Sequence, residues 1–231
     1  MKQSRRLIVF AKAPDAGTVK TRLIPLLGAE GAARLHQQLV EHALGVAAEA
    51  ACAPVELCCA PDAQHPFFTT CRDRFGVMLT EQASGDLGAR MYRAFDRALA
   101  SAESVVLIGT DCVDLTATDL GETFQALEDG NDAVLGPAED GGYVLIGLRR
   151  CARTVFDGIG WSAATVLAET RERFARLQWR WHELPVRSDI DRPEDYQRLV
   201  REGVVPASEM LGTLRPTARQ KIIPSPGQRK G

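Results

Sequence analysis

The chain has 231 residues, 45% hydrophobic and 25% charged, which suits one α/β domain with a sizeable core and leaves too little for two full domains. Its formal net charge is -2 and aromatic residues make up 6%, a balance that argues against a nucleic-acid surface. No apolar run is long enough for a membrane span, and Leu7–Ala11, behind the basic Lys2, Arg5 and Arg6, is shorter than the core of a signal peptide, so a soluble, cytoplasmic protein is expected.

Leu7–Ala11 is a short apolar run that reads as a first buried strand. It leads into Lys12–Arg22, where Pro14 and Gly17 form turns and Lys12, Lys20 and Arg22 supply cations. Glycine-exposed backbone amides with lysine and arginine heads suit a diphosphate; the same residues also describe a solvated basic turn. The Walker A spacing is absent. Ala29–Ala50 reads as a helix through Leu35, Leu39, Ala43 and Val46, and its His36 and His42 are not spaced as paired metal ligands, so both read as solvated or packed.

Val55–Ala60 is a second strand and Val77–Thr80 a short third, separated by a helix with loops between Pro61 and Phe75. The loop that follows holds Gln82, Gly85 and Asp86 and opens into a helix over Leu87–Leu99, with Met91, Phe95 and Leu99 on its buried stripe. Asp86 suits the cap of that helix, whose N-terminus also suits a phosphate or a base edge.

Val105–Ile108 is continuous and mostly β-branched, as in a strand covered on both faces, and it runs through Gly109 and Thr110 to Asp111. A carboxylate is costly to bury unpaired, so Asp111 either emerges at the carboxyl end of the strand, facing a crevice, or serves a cap or turn. A helix over Ala117–Glu128 and a strand over Asp132–Gly136 follow. Asp140-Gly141-Gly142 lies between two apolar runs as a hairpin turn, and with Glu139 and Tyr143 it also offers an acid and a ring to a substrate.

Val166, Leu167, Thr170 and Phe174 share one helical face behind a cap at Trp161-Ser162, and Leu177–Leu184 alternates like an edge strand carrying Trp179 and Trp181. Pro193 and its acidic neighbours open a last helix, with Asp189 and Asp191 just before it. From Gly203 on, prolines and basic residues describe a frayed tail, leaving a domain over residues 1–202 and a tail over 203–231. The six cysteines, Cys52, Cys58, Cys59, Cys71, Cys112 and Cys151, lack zinc spacing and read as reduced, mostly core thiols.

Strands and helices alternate from Leu7 to Phe124, so a mostly parallel sheet with helices on both faces is expected. The cationic loop, Asp111 and the late Asp189 or Asp191 then converge on one crevice, where cations with carboxylates suggest a diphosphate bridged by Mg²⁺ or Mn²⁺.

F-A-K-A-P-x-A-G-x-V-K-T-R-L from Phe10, Q-x-x-G-D-L-G-x-R-M from Gln82, G-T-D-C from Gly109, D-G-G-Y from Asp140 and D-I-D-R-P-E-D from Asp189 resemble the bacterial family of unknown function numbered 2064. Members are often labelled arsenosugar-biosynthesis-type glycosyltransferases, within the nucleotide-diphospho-sugar transferase, or glycosyltransferase-A, superfamily. The resemblance spans Leu7 to about Val200 and implies a three-layer αβα fold around a mostly parallel mixed sheet. It implies that Lys12, Gly17, Lys20, Arg22, Gln82, Asp86 and Arg90 bind a nucleotide. It also implies that Asp111 binds the metal, with Asp189 or Asp191 as the second ligand. The superfamily's D-x-D is here Asp111-Cys112-Val113-Asp114, with the second acid one residue late, which sets Asp114 aside.

Three readings follow. The first is a metal-dependent glycosyltransferase moving a sugar from a nucleotide sugar to a small-molecule acceptor, with Asp140 the candidate base. The second is a nucleotidyltransferase joining a nucleoside triphosphate to a phosphorylated acceptor with loss of pyrophosphate. The third is a non-catalytic nucleotide-binding protein, which Asp111 among phosphates opposes. No residue pattern points to arsenic.

Overall fold

The structure, a computed structural model, describes residues 3–161 and 163–201. Ser162 of the expected cap and the expected tail lie outside the described residues. One seven-stranded sheet organises the chain in the order β3-β2-β1-β4-β6-β5-β7. The strands are β1 (Gln3–Lys12), β2 (Val55–Ala60), β3 (Met78–Glu81), β4 (Ala102–Ile108), β5 (Ala133–Pro137), β6 (Tyr143–Leu148) and β7 (Trp181–Glu183). β6 runs antiparallel to both β4 and β5, and every other pairing is parallel. The expected hairpin at Asp140-Gly141-Gly142 is the β5–β6 connection.

Alternation along β1 divides the core. Leu7, Val9 and Ala11 pack on one face with α1 (Ile24–Ala50), α2 (Pro66–Phe75) and α4 (Ala117–Glu128). Ile8 and Phe10 pack on the other with α3 (Leu87–Leu99) and α5 (Val166–Arg176). The result is a three-layer αβα sandwich, as expected. A smaller cluster joins Leu23, Leu35 and Leu39 to Ile190, Tyr196 and Leu199, and so docks α6 (Pro193–Arg201) against α1.

Helix starts follow local chemistry. Thr116 and Asp119 form a reciprocal capping box on α4. Asp86 caps α3 by accepting from the Ala89 amide at 2.8 Å. The helix expected from Ala29 has one further turn in front of it, set off by Gly28 at φ 70° and ψ 166°.

The expected strand over Leu177–Leu184 contracts to the three residues of β7. Gln178 takes φ 56°, and Trp179 turns inward to stack on Phe174 with ring centroids 5.5 Å apart. Burying the large indole outweighs extending a strand at the sheet edge.

Candidate active site

The chain leaves β1 for β2 on one side, while β4 returns to pair on the other side of β1. Loops after β1 and β4 therefore diverge, and this switch point in a parallel sheet opens a crevice at the carboxyl ends of the strands. A cleft of about 720 Å³ lies there. Of the eleven residues singled out from sequence, all but Gly17 line it. Gly17 instead makes the turn beside it at φ 86°, where Thr18 bonds back to Asp15 through its amide and hydroxyl. Thr18 and Val19 take its place on the wall.

The three cations of this loop differ in their surroundings. Lys12, at the end of β1, is exposed, and its ammonium has no ion-pair partner among the described residues. Lys20 adopts the left-handed region at φ 47°, which aims its side chain inward until only 3% is exposed. Its Nζ lies 2.8 Å from Asp111 Oδ1 and 3.5 Å from Asp191 Oδ1, and it also donates to the Ile190 carbonyl. Arg22 Nη1 pairs with Asp191 Oδ2 at 2.6 Å.

The acids are assembled by a strap laid across the end of β4. Cys112 and Asp189 form an antiparallel bridge, and the Ile190 amide donates to the Asp111 carbonyl at 2.9 Å. Asp114 accepts from the Ser188 amide at 3.2 Å and from the Cys112 thiol at 3.1 Å, so it fastens the strap. Asp140 caps its own turn by accepting from the Gly142 amide at 2.8 Å through Oδ1. Gly141, at φ 88°, lets this turn lie against Ala164, whose carbonyl a Cβ would strike. Burial raises the Asp189 pKa to about 6, and the negative charges of Asp140, Asp191 and Asp111 push the same way.

On the β3 side, Gln82 Nε2 donates to the carbonyls of Ala11 at 3.2 Å and Cys58 at 3.0 Å. Its amide is thus pinned with Oε1 toward Arg90, whose Nη1 donates to it at 3.2 Å. Gln82 holds Arg90 on the cleft wall, one helical turn beyond Asp86. Trp161 lies against the first turn of the same helix, α3, because Gly88 has no Cβ; one would come within 2.7 Å of the indole. Trp161 meets Tyr143 edge-on, with centroids 6.5 Å apart, and the two rings wall the Asp140 end.

His36 is a lining residue that sequence spacing does not single out. It is 5% exposed, and Nε2 donates to the Lys12 carbonyl at 3.0 Å, fixing the start of the cationic loop. Burial lowers its pKa, so the ring is neutral at neutral pH. Its position on α1, one helix away from the loop it serves, leaves no local signal. Trp161 is likewise read from sequence as part of a cap, since its contact with Gly88 is long-range.

Among the described residues no three His, Cys, Asp or Glu side chains are grouped to enclose a metal ion. The donor set nonetheless fits one bound together with a diphosphate. Asp111, Asp140, Asp189 and Asp191 face Lys20 and Arg22, leaving two formal negative charges in the group. Mg²⁺ characteristically takes one or two carboxylates and completes its shell with phosphate oxygens and water. Both Asp191 oxygens are engaged by Lys20 and Arg22, whereas Asp111 is paired with Lys20 through Oδ1 and Asp189 forms no ion pair among the described residues, so Asp111 and Asp189 could hold such a cation.

Residues 43–163 match the family described as an uncharacterized protein conserved in bacteria, DUF2064. A crystal structure from Desulfovibrio desulfuricans, provisionally assigned as a nucleotide-diphospho-sugar transferase, is 32% identical over 89% of this chain and 90% of its own, with a TM-score of 0.78. Two more distant structures share the fold. The 4-diphosphocytidyl-2C-methyl-D-erythritol synthase of Anaerococcus prevotii is 10% identical over 87% of this chain and 96% of its own, with a TM-score of 0.57. The glucosyl-3-phosphoglycerate synthase of Mycobacterium tuberculosis, solved with Mn²⁺, UDP and glucosyl-3-phosphoglycerate, is 11% identical over 87% of this chain and 76% of its own, with a TM-score of 0.50. No curated protein matches the chain. The architecture is that of the nucleotide-diphospho-sugar transferases, and among the described residues no helix is long and apolar enough to cross a membrane.

Proposed function

We propose that this chain, which belongs to the DUF2064 family, is a metal-dependent glycosyltransferase that moves a sugar from a nucleotide-diphospho-sugar to a small-molecule acceptor. One observation carries the reading: a single cleft at the switch point is lined together by the cations of the β1 loop, by Asp111, Asp140, Asp189 and Asp191, and by the paired rings of Tyr143 and Trp161. These groups suit the parts of such a donor: Gln82, Asp86 and Arg90 the nucleoside, the loop cations the diphosphate, and the Asp140 turn the sugar. The assignment of the Desulfovibrio relative, at 32% identity, supports it.

In this reading Lys12 and the Lys20–Arg22 segment neutralise the diphosphate as negative charge develops on the leaving group. Asp111 and Asp189 would hold Mg²⁺ or Mn²⁺, which when bound would further offset that charge. Mn²⁺ in the Mycobacterium relative is in keeping with this choice. Asp140 accepts the proton of the attacking hydroxyl on Oδ2, while its other oxygen is held by the Gly142 amide. Tyr143 and Trp161 flank that end and shield the acceptor from water.

A melting-temperature panel of nucleotide sugars and nucleoside triphosphates, each with and without Mg²⁺ or Mn²⁺, tests the reading, because ligands that bind the native state raise its melting point. Metal-dependent stabilisation by a nucleotide sugar is expected. Stabilisation by a triphosphate alone would replace it with nucleotidyl transfer, and no shift with any ligand would leave a protein that has kept the fold without the activity.

A further inference from the structure

We infer that Lys20 is an internal counter-ion that competes with the divalent cation for the acidic centre, so that the metal binds tightly only together with a nucleotide. This rests on the proposed metal site at Asp111 and Asp189 and adds how access to it is controlled. An ammonium has three N–H donors. Lys20 meets three acceptors with them: Asp111 Oδ1 at 2.8 Å, Asp191 Oδ1 at 3.5 Å and the Ile190 carbonyl. It is therefore saturated, with no hydrogen left for a phosphate while it stays there. At 3% exposure its charge is shielded far less by water than that of a surface lysine.

The position is built rather than incidental. Lys20 takes a left-handed backbone conformation, at φ 47°, that a residue with a Cβ rarely adopts. The turn through Gly17 on one side and the short 3-10 turn Thr21–Leu23 on the other hold it there, with Leu23 fully buried as the anchor. The strap supplies two of the three acceptors, so the same segment that brings Asp189 to Asp111 also docks the lysine.

A divalent cation that approached Asp111 or Asp189 in this arrangement would meet a positive charge already on the Asp111 carboxylate. The repulsion falls away once a diphosphate offers the ammonium new acceptors. Lys20 then moves to the phosphates, and Asp111 is released to the metal. The two ligands consequently bind with positive coupling, and by linkage each raises the affinity for the other.

Mn²⁺ binding to the nucleotide-free protein, followed by the loss of the free-ion electron paramagnetic resonance signal, tests this directly. Lys20→Met, which keeps the stem and removes the charge, is expected to bind Mn²⁺ at least tenfold more tightly than wild type without nucleotide. Its melting temperature should also rise more on adding Mn²⁺. Lys20→Gln serves as the second variant, and circular dichroism establishes that each is folded. Equal nucleotide-free Mn²⁺ affinity in wild type and both variants, with Mn²⁺ still bound, would overturn the competition and leave the metal site standing. Failure of every protein to bind Mn²⁺, with UDP, GDP, ADP or CDP present or absent, would overturn both together.

Discussion

The Ile190 amide donates to the carbonyl oxygen of Asp111 at 2.9 Å, and this bond places two carboxylates from distant parts of the sequence in one cleft. Asp111 lies three residues beyond the end of β4, and Asp189 precedes α6. Backbone pairing, fastened by the Asp114 carboxylate on the Ser188 amide, brings them together, and the pairing bonds use neither the Asp111 nor the Asp189 carboxylate, so either acid can be changed without dismantling the strap. That separation makes the site's chemistry testable by substitution.

Asp189 gives the clearest pH signature. An aspartate ordinarily titrates near 3.8, but here burial and three neighbouring acids raise Asp189 to about 6. Between those values the folded state holds the proton more tightly than the unfolded chain. The stability this contributes is complete below the ordinary value and is lost as pH rises through about 6. In metal-free, nucleotide-free protein, Asp189→Asn should therefore gain in melting temperature over wild type as pH is raised from 4 to 7, levelling off above. An advantage that shrinks over the same range would contradict the placement of Asp189 among the acids.

Asp140 is expected to act on the acceptor alone. Asp140→Asn keeps an oxygen for the Gly142 amide and removes the base, so turnover should fall by roughly 10²–10⁴-fold. Nucleotide and Mn²⁺ affinities measured by calorimetry should stay within about twofold of wild type. A parallel loss of Mn²⁺ affinity would move Asp140 from base to metal ligand.

Arg90 is held by Gln82, and the two should be separable. Arg90→Met removes a charged donor from the cleft, and one such hydrogen bond is worth about 1.5–3 kcal/mol, or roughly tenfold or more in nucleotide affinity. Gln82→Leu should weaken nucleotide binding through the freed Arg90 and also lower the melting temperature, because the Ala11 and Cys58 carbonyls lose their donor. Undiminished nucleotide affinity in both variants would place the nucleoside elsewhere.

Gly141 tests the turn that carries Asp140. A methyl group there meets the Ala164 carbonyl, and the positive φ adds strain, so Gly141→Ala should cost about 2 kcal/mol or more. Denaturant unfolding measures this. A neutral effect would mean that the turn is not packed as described.

Much of this architecture is legible in the residues. Val105–Ile108 announces a doubly covered strand, and Leu7–Ala11 another, because apolar continuity is what burial on both faces demands. Asp86 marks a helix start through a bond within its own first turn, and Pro193 marks another through its fixed φ. What escapes is long-range. His36 serves a carbonyl on another element, and Trp161 depends on a missing Cβ at Gly88. Lys20 reads as one more phosphate cation until the strap from Ser188 to Asp191 is folded against it. Sequence leaves Asp189 and Asp191 equivalent, and the contacts of Asp191 with Lys20 and Arg22 distinguish them.

The most direct measurement of the central claim is ³¹P NMR of the wild-type protein incubated with Mn²⁺, a panel of hydroxylated and phosphorylated small-molecule acceptors, and either nucleotide sugars or nucleoside triphosphates, beside Asp111→Asn under the same conditions. Metal-dependent formation of a nucleoside diphosphate, abolished in Asp111→Asn, is the predicted result. Pyrophosphate formed from a nucleoside triphosphate and a phosphorylated acceptor, or turnover that persists in Asp111→Asn, would contradict it.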